Sequence, residues 1–411
     1  MNSDGSIQSN TDWRRLPRNV WAVSVASFLT DISSEMVINL LPLFLSNVLG
    51  IKTNIIGVIE GVAEATASIL KLFSGWLSDR LRQRKWLAVL GYGISAFSKP
   101  FFYFANTWGV IAGVRWADRV GKGIRTAPRD ALVADSVHEK QRGLAFGLHR
   151  AADTAGAVVG LIIALVIVWL SQSNSVDLTR NTFQLIVLIS LPPAFLAVAA
   201  LAGIARDVPI DKERPLPKFA LRSLGRNFMI FMLIVGIFDL GNSSDAFLVL
   251  RAQERGLSVI GVLGMLVTFN LIYTLGSTPF GALSDRIGRR KVIIGGWLLY
   301  GLVYLGFAGA QTGGQVWILY AIYGLYYALT YGTTRAMIAD IVKPELLGTA
   351  YGTYNAILGI LDFPASVIAG VLWQGMAGWS GFGAPAPFLF GGVLALIAMV
   401  GMLIWKPRQS D

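Results

Sequence analysis

The chain has 411 residues, of which 54% are hydrophobic and only 14% charged, and its formal net charge is +11. A soluble globular protein carries roughly 25% charged residues. Because apolar stretches close to the roughly 20 residues of a bilayer crossing recur along the chain, composition predicts a polytopic membrane protein. On such a protein the positive charge indicates loops beside anionic lipid and not nucleic-acid binding. The absence of cysteine excludes disulfides and thiolate metal sites.

Twelve segments are predicted to cross the membrane as helices. They cover residues 19–48, 54–78, 86–105, 108–130, 144–170, 182–204, 227–250, 258–280, 291–310, 315–337, 347–374 and 386–405. The domains that follow are a cytoplasmic tail 1–18, a six-helix bundle 19–204, a cytoplasmic linker 205–226, a second six-helix bundle 227–405 and a tail 406–411. Basic residues concentrate in alternate loops, which predicts that both termini face the cytoplasm.

Carboxylates lie inside the first two segments. Asp31 and Glu35 are four residues apart, so they share one helix face near the middle of the first segment. Glu60 and Glu64 share one face of the second segment. Buried ionisable groups are costly and tend to face a bundle interior or a water-filled path. These four residues are therefore candidates for proton exchange, and neutralisation of nearby basic residues is the alternative.

The fourth segment carries a stripe of basic residues. Arg115, Arg119 and Lys122 share one face and lie roughly 10 to 21 Å along the helix from its outer end. Arginine binds carboxylate or phosphate through two parallel hydrogen bonds. Because local acids are not expected to balance the three residues, the stripe predicts an anion-binding site. Arg125 and Arg129 are predicted near the cytoplasmic surface.

Structural ion pairs are the other interpretation of these buried charges. In the third segment, Lys99 is expected to pair with Glu60 or Glu64 under that interpretation. In the fifth segment, His149 and Asp153 are further candidates for proton exchange.

The second half of the chain is less charged. Its seventh segment contains Asn242, and its tenth places tyrosines at helical spacing, among them Tyr323 and Tyr327. These three residues are candidates for binding the organic part of a solute, because tyrosine offers an apolar ring with a polar tip. Plain packing is the alternative for the tyrosines.

The two halves repeat each other. "GWLSDRLRQRK" at 75–85 returns as "GALSDRIGRRK" at 281–291, and "ADSVHEKQRGLAFG" at 134–147 returns as "ADIVKPELLGTAYG" at 339–352. A weaker echo relates "ISSE" at 32–35 to "NSSD" at 242–245. The chain is therefore an internal duplication, which is typical of transporters.

The first repeat resembles the signature loop of the major facilitator superfamily, G-x-L-x-D-R-x-G-R-[RK]. The residues that carry the resemblance are Gly75, Asp79 and Arg80 in the first copy and Gly281, Asp285, Arg286 and Arg289 in the second. The resemblance implies an all-α membrane fold of twelve transmembrane helices in two pseudo-symmetric six-helix bundles. It also implies that these residues form a cytoplasmic gate motif that governs the conformational change.

The sequence thus predicts a secondary active transporter that moves a small organic, anionic solute across the bacterial inner membrane by alternating access, coupled to protons. We expect a monomer in the lipid bilayer whose partners are a small-molecule substrate and protons, with no cofactor, metal or nucleic acid.

Three alternatives lie within the same fold: a multidrug–proton antiporter, a lysolipid flippase and a divalent-metal exporter. The fifth segment reads "TAGAVVG" and lacks the G-P-x-x-G-G run usual in drug antiporters. An enzyme is not expected, because no hydrolase elbow, phosphate-binding loop or metal-ligand pair on one helix is present. A sensor is not expected either, because no appended soluble domain is visible.

Overall fold

The computed structural model describes residues 14, 16–81, 83–138, 141–172, 175–208, 224–343 and 346–406. The described residues form an all-helical protein. Its helices are α1 (Arg18–Ile38), α2 (Leu41–Leu43, continued by a π-turn over Phe44–Val48), α3 (Thr53–Leu81), α4 (Lys85–Ser98), α5 (Pro100–Tyr103), α6 (Trp108–Ser136), α7 (Arg142–Gln172), α8 (Arg180–Ile204), α9 (Gly225–Leu240), α10 (Ala246–Glu254), α11 (Val259–Ile287), α12 (Arg289–Gly309), α13 (Gly313–Ile341), α14 (Leu347–Gln374) and α15 (Ala386–Ile404). Among the described residues, seven helical stretches are long and apolar enough to cross a membrane. Most of the predicted tails and linker lie outside the described residues.

The predicted seventh segment is not one helix. It divides into α9 and α10, joined by a turn at residues 241–245. Serine, asparagine and aspartate side chains compete for backbone hydrogen bonds, and four such residues fill this turn. The Ser244 hydroxyl accepts a bond from the amide of Ala246, and the Ser366 hydroxyl accepts one from the amide of Ser244. The prediction of a continuous helix over 227–250 is therefore wrong at its polar centre.

The predicted fourth segment, α6, runs to Ser136, six residues beyond its expected end. The Thr107 hydroxyl caps its first turn. Because the helix is longer, Arg125 lies about 16 Å inside its end. Arg125 is buried, donates to the Ser95 hydroxyl over 2.7 Å and stacks on the Tyr92 ring. Arg125 thus lies inside the bundle, and its depth in the membrane stays a prediction.

Helices of each half pack mainly on one another. In residues 16–208, α1 packs on α7 and α8, and α6 packs on α3 and α4. In residues 224–406, α13 packs on α11 and α12, and α9 packs on α14 and α15. The halves meet where α3 lies along α14 and α7 lies along α11. A large apolar core includes buried side chains from both halves.

We name the two ends of the bundle by their loops. The motif face holds residues 83–84 and Gly288, and the distal face holds residues 50–52 and 375–385. At the distal face, Asn54 donates to the carbonyl of Gly375 over 2.8 Å, and Gln253 donates to Asp177 over 3.0 Å.

Small residues also bring the halves together on the distal side of α3. A Cβ atom on Gly61 would lie 2.9 Å from the carbonyl oxygen of Phe363, so only glycine allows α3 this close to α14. Together with the two hydrogen bonds, this close packing shows that the structure is closed at its distal face.

Candidate transport site

Five charged side chains form one network between α3 and α6, here called the α3–α6 network. Its members are Glu60, Glu64, Arg115, Asp118 and Arg119. Arg115 lies 2.7 Å from Glu60 and 3.3 Å from Glu64, while Arg119 lies 2.8 Å from Asp118 and 3.2 Å from Glu64. Three carboxylates thus surround two guanidinium groups. The expectation that local acids would not balance the arginines is therefore wrong.

Glu64 differs from the other members in its exposure. Its side chain is 35% exposed, whereas those of Arg115 and Arg119 are 3% and 7% exposed. One guanidinium nitrogen of Arg115, Nη1, is buried and has no hydrogen-bond acceptor among the described residues. Glu64 contacts both arginines, as Asp118 does at 3.8 Å from Arg115 and 2.8 Å from Arg119, but the Asp118 side chain is only 2% exposed. Glu64 is therefore the member best placed to exchange with a ligand that carries negative charge.

The two lysines of the predicted site behave differently. Lys122 is exposed and forms no salt bridge within the described residues, and its charge acts on Glu64 and on Asp362 of α14. Lys99 is fully buried and donates to the hydroxyls of Ser33 and Ser34, over 2.6 and 3.1 Å. The predicted pairing of Lys99 with Glu60 or Glu64 is therefore wrong.

A second group of titratable side chains lies between α1 and α7. Four charged side chains lie close enough to the carboxyl group of Asp31 to interact with it electrostatically: Asp153, Glu35, Arg125 and Arg129. Glu35 itself accepts a hydrogen bond from the Asn39 amide over 2.7 Å.

His149 belongs to the same group. Its Nδ1 lies 3.7 Å from the Asp153 carboxylate, and it is only 4% exposed. Neither of its ring nitrogens has a hydrogen-bond partner among the described residues. The structure thus brings Asp31, His149 and Asp153 together, and their role in proton exchange stays a prediction.

The candidate residues of the second half surround the turn at 241–245. The Tyr323 hydroxyl donates to Asp245 over 3.2 Å, and the Tyr300 hydroxyl donates to Asn242 over 3.2 Å. The rings of Tyr323 and Tyr327 pack around Phe269.

Asp245 is a residue that the site prediction missed. The charges of Glu64 and Glu35 act on it, so it faces the first half. The echo between "ISSE" and "NSSD" could have found it, because Asp245 occupies the position of Glu35 in that echo.

The motif loops form matching ion-pair clusters, each within its own half. Arg84 contacts Asp79 over 2.5 Å and Asp135 over 3.3 Å, and it also bonds to the Ser78 hydroxyl. Arg289 contacts Asp285 over 3.6 Å and Asp340 over 2.6 Å.

Each cluster contains residues from both repeated stretches of its own half, 75–85 with 134–147 in the first and 281–291 with 339–352 in the second. These stretches were the sequence signal that could have identified Arg84, Asp135 and Asp340. The other motif residues make fewer contacts. Arg80 stacks on the ring of Trp76, and Arg286 is exposed. A Cβ on Gly75 would meet Ala127 at 3.3 Å, whereas one on Gly281 would meet open space.

Comparison with known proteins identifies the family. The family model described as Major Facilitator Superfamily matches residues 23–266 and 227–411. An MFS-type transporter of Methanocaldococcus jannaschii is 35% identical over 410 residues, covering 97% of this chain and 96% of that protein. The multi-drug resistance efflux pump PmrA of Streptococcus pneumoniae is 22% identical over 382 residues, covering 90% and 91%.

Solved structures share the fold at low sequence identity. A bacterial homologue of the human lysosomal transporter Spinster, inward-facing and occupied, has a TM-score of 0.76 at 15% identity and covers 95% of this chain and 98% of that one. The nucleoside transporter NupG has a TM-score of 0.72 at 16% identity, covering 94% and 100%. This chain belongs to the Major Facilitator Superfamily, a family of multi-pass membrane transporters and not of enzymes.

Proposed function

We propose that the protein moves a small organic anion across the bacterial inner membrane together with protons, working as a monomer with its termini and motif face in the cytoplasm. The halves alternate access to a site between the α3–α6 network and the turn at 241–245. The closed distal face supports this proposal, because one closed end is what alternating access requires of a single state.

The observation that carries the proposal is that one partly exposed carboxylate, Glu64, contacts two buried arginines. When Glu64 takes up a proton, it loses its negative charge, and Arg115 and Arg119 lose part of their counter-charge. A buried charge without a partner is strongly unfavourable, so a carboxylate or phosphate of the solute replaces Glu64. Proton and anion then bind together, which makes the transporter a symporter.

The other predicted site residues assist the exchange of Glu64 for the anion. Lys122, exposed beside Glu64, attracts the anion. Asn242, Tyr323 and Tyr327 contact the organic part of the solute from the other half. The gate motif residues hold each half together while the halves move relative to one another.

The group between α1 and α7 provides a path for protons in this proposal. His149 and Asp153 lie about 10 and 16 Å along α7 from its end at the motif face. Asp31 and Glu35 continue the path toward the end of α1 at Ile38.

Uptake into proteoliposomes tests the proposal. The full-length protein is reconstituted, and a panel of organic anions and lipophilic cations is offered with and without an imposed pH gradient. We expect an anion to accumulate only with the gradient. Glu64→Gln should still exchange that anion across the membrane but should no longer accumulate it, because the amide cannot take up the proton. Glu213→Gln, in the linker 205–226, is the matched control. Accumulation by Glu64→Gln that still depends on the gradient would overturn the mechanism.

A drug–proton antiporter is the second candidate. The aromatic wall of Phe269, Tyr323 and Tyr327 suits a lipophilic cation, because an aromatic face attracts positive charge. The similarity to a multi-drug resistance efflux pump supports the same function. Proton-driven efflux of lipophilic cations, without anion uptake, would favour this candidate over the symporter.

A further inference from the structure

Two carboxylates of the second half have no part in the exchange at Glu64. They are Asp239 of α9 and Asp362 of α14. We propose that these two residues hold one shared proton near the middle of the membrane, which makes them a second proton-binding site of the protein. Only the use of this proton in transport depends on the function proposed above; its binding does not.

The two residues lie at the same depth on neighbouring helices. Asp239 is about 21 Å along α9 from the motif face, and Asp362 is about 22 Å along α14 from the same face. The helices pack directly against each other beside the pair. The side chain of Leu361 lies 3.2 Å from where a Cβ on Gly236 would be, one turn from Asp239. The charge of Asp362 acts on the Asp239 carboxyl group.

Asp239 is buried, Asp362 is half-buried, and no described cation pairs with either, which favours a proton bound by the pair. Asp239 is only 5% exposed, and its Oδ2 has no hydrogen-bond partner among the described residues, although the Asn242 side chain bonds to the carboxyl group. Neither Asp239 nor Asp362 forms a salt bridge with a residue that the structure describes. A buried, unpaired carboxylate is costly, and two adjacent carboxylates do not both ionise. One proton shared between the two satisfies both conditions.

A metal ion fits the site less well. Hard cations such as Ca²⁺ take six to eight oxygen ligands. Across the described residues, no three histidine, cysteine or acidic side chains are placed so that they could hold one metal ion. A proton needs only the two carboxylates.

The charged groups around the pair connect it to the movement of the halves. Glu64 of α3 and Lys122 of α6 face Asp362 from the first half. Tyr326 of α13 and Tyr354 of α14 face Asp239, and α15, which packs on α9, has no titratable side chain. Lys122 favours the ionised form of the pair, whereas Glu64 opposes it.

Movement of α3 and α6 relative to α14 therefore changes how firmly the pair holds its proton. The proton binds from one side of the membrane while Lys122 is distant. It leaves to the other side when Lys122 comes closer, so proton release accompanies one conformational step.

Infrared spectroscopy of the purified full-length protein tests the proposal without any substrate. The signal is the carbonyl band of protonated carboxyl groups, followed through a pH titration in sodium buffer and in choline buffer. We expect a band that titrates in the wild type and is lost in the Asp239→Asn/Asp362→Asn double variant. In each single variant the remaining carboxyl group should release its proton about ten-fold more readily, because no neighbouring carboxylate opposes ionisation. Glu213→Gln, in the linker 205–226, is the control and should leave the band unchanged.

Two results would overturn the proposal. One is a band that persists in the double variant. The other is a band that sodium removes at constant pH, which would make the pair a sodium site. If the double variant does not fold, the single variant Asp362→Asn provides the test. Proton release from Asp239 that is no easier than in the wild type would then overturn the proposal. The two proposals fail in distinguishable ways, because Glu64→Gln can abolish gradient-driven uptake while the band of the pair remains, moved to lower pH since Glu64 no longer opposes ionisation of the pair.

Discussion

At the motif face, Arg84 of the first half and Arg289 of the second bind the same kinds of partner. Each contacts the aspartate of its motif and a second aspartate at the end of a later helix, Asp135 or Asp340. In the membrane interior the halves differ. The first half holds arginines in salt bridges with carboxylates, whereas Asp239 and Asp245 of the second half lie among tyrosines and form no salt bridge with a described residue.

The aspartates of these clusters occupy equivalent positions in the two repeats, whereas Arg84 aligns with Arg290 and not with Arg289. The ion pairs at the motif face stabilise the ends of helices, a task that both halves share. In the proposed function, the interior side chains instead determine which solutes and ions can enter. An interior with arginines on one side and aromatic rings on the other suits a solute with an anionic end and an organic body.

Removing an arginine from the first half should have the largest effect. Arg115→Ala leaves Glu60 buried without its partner, which costs about 3–5 kcal/mol of stability. Uptake should be lost as well. Equilibrium unfolding in mixed micelles and uptake into proteoliposomes measure the two effects.

A double variant separates stability from transport. Arg115→Met combined with Glu60→Gln leaves no unpaired charge at these two positions, so we expect it to recover most of the stability but no transport. Wild-type uptake by either variant would show that the interior of the first half does not select the solute.

The two motif clusters should differ in strength although their pattern is the same. The side chain of Arg84 is 6% exposed and that of Arg289 is 26% exposed. Arg84→Ala should therefore cost about 1–3 kcal/mol, since it removes buried bonds to charged groups. Arg289→Ala should cost at most about 1 kcal/mol, as is usual for exposed pairs. Thermal unfolding of both variants provides the comparison, and equal losses would contradict the assigned difference in burial.

The fold was predictable because its signals are local or repeated. Apolar segments of membrane length and the two strong repeats predicted an all-helical transporter of this family, and helix periodicity placed Arg115 and Arg119 on one face. The same repeats contained the partners at the motif face, Asp135 and Asp340, although residue type alone did not show which arginine each would bind.

The partners inside the membrane were not predictable, because they depend on how helices rotate against each other. Lys99 could reach acids on α3 or hydroxyls on α1 at similar depth, and packing selected Ser33 and Ser34. The turn at 241–245 was also missed, since its apolar flanks have the composition of one continuous helix. A run of four polar residues at mid-segment was the available signal.

The smallest expected effect concerns a bond between the halves. Arg150 of α7 donates to the Tyr273 hydroxyl of α11 over 3.1 Å and stacks on the Tyr331 ring of α13. Tyr273→Phe removes the acceptor but keeps the ring. A hydrogen bond of this kind contributes about 1 kcal/mol, so its loss should shift the equilibrium between closed and open states at the motif face roughly five-fold.

Because the chain contains no cysteine, a single Leu72→Cys substitution gives a clean probe of that equilibrium. Leu72 of α3 lies near Gly352 of α14, where the halves meet on the motif side. Maleimide labelling of this probe should be faster with Tyr273→Phe. Tyr351→Phe is the matched control, since its hydroxyl donates to the carbonyl of Arg335 within the second half. If both substitutions accelerate labelling equally, the bond between the halves has no specific role, and contacts within each half control the opening.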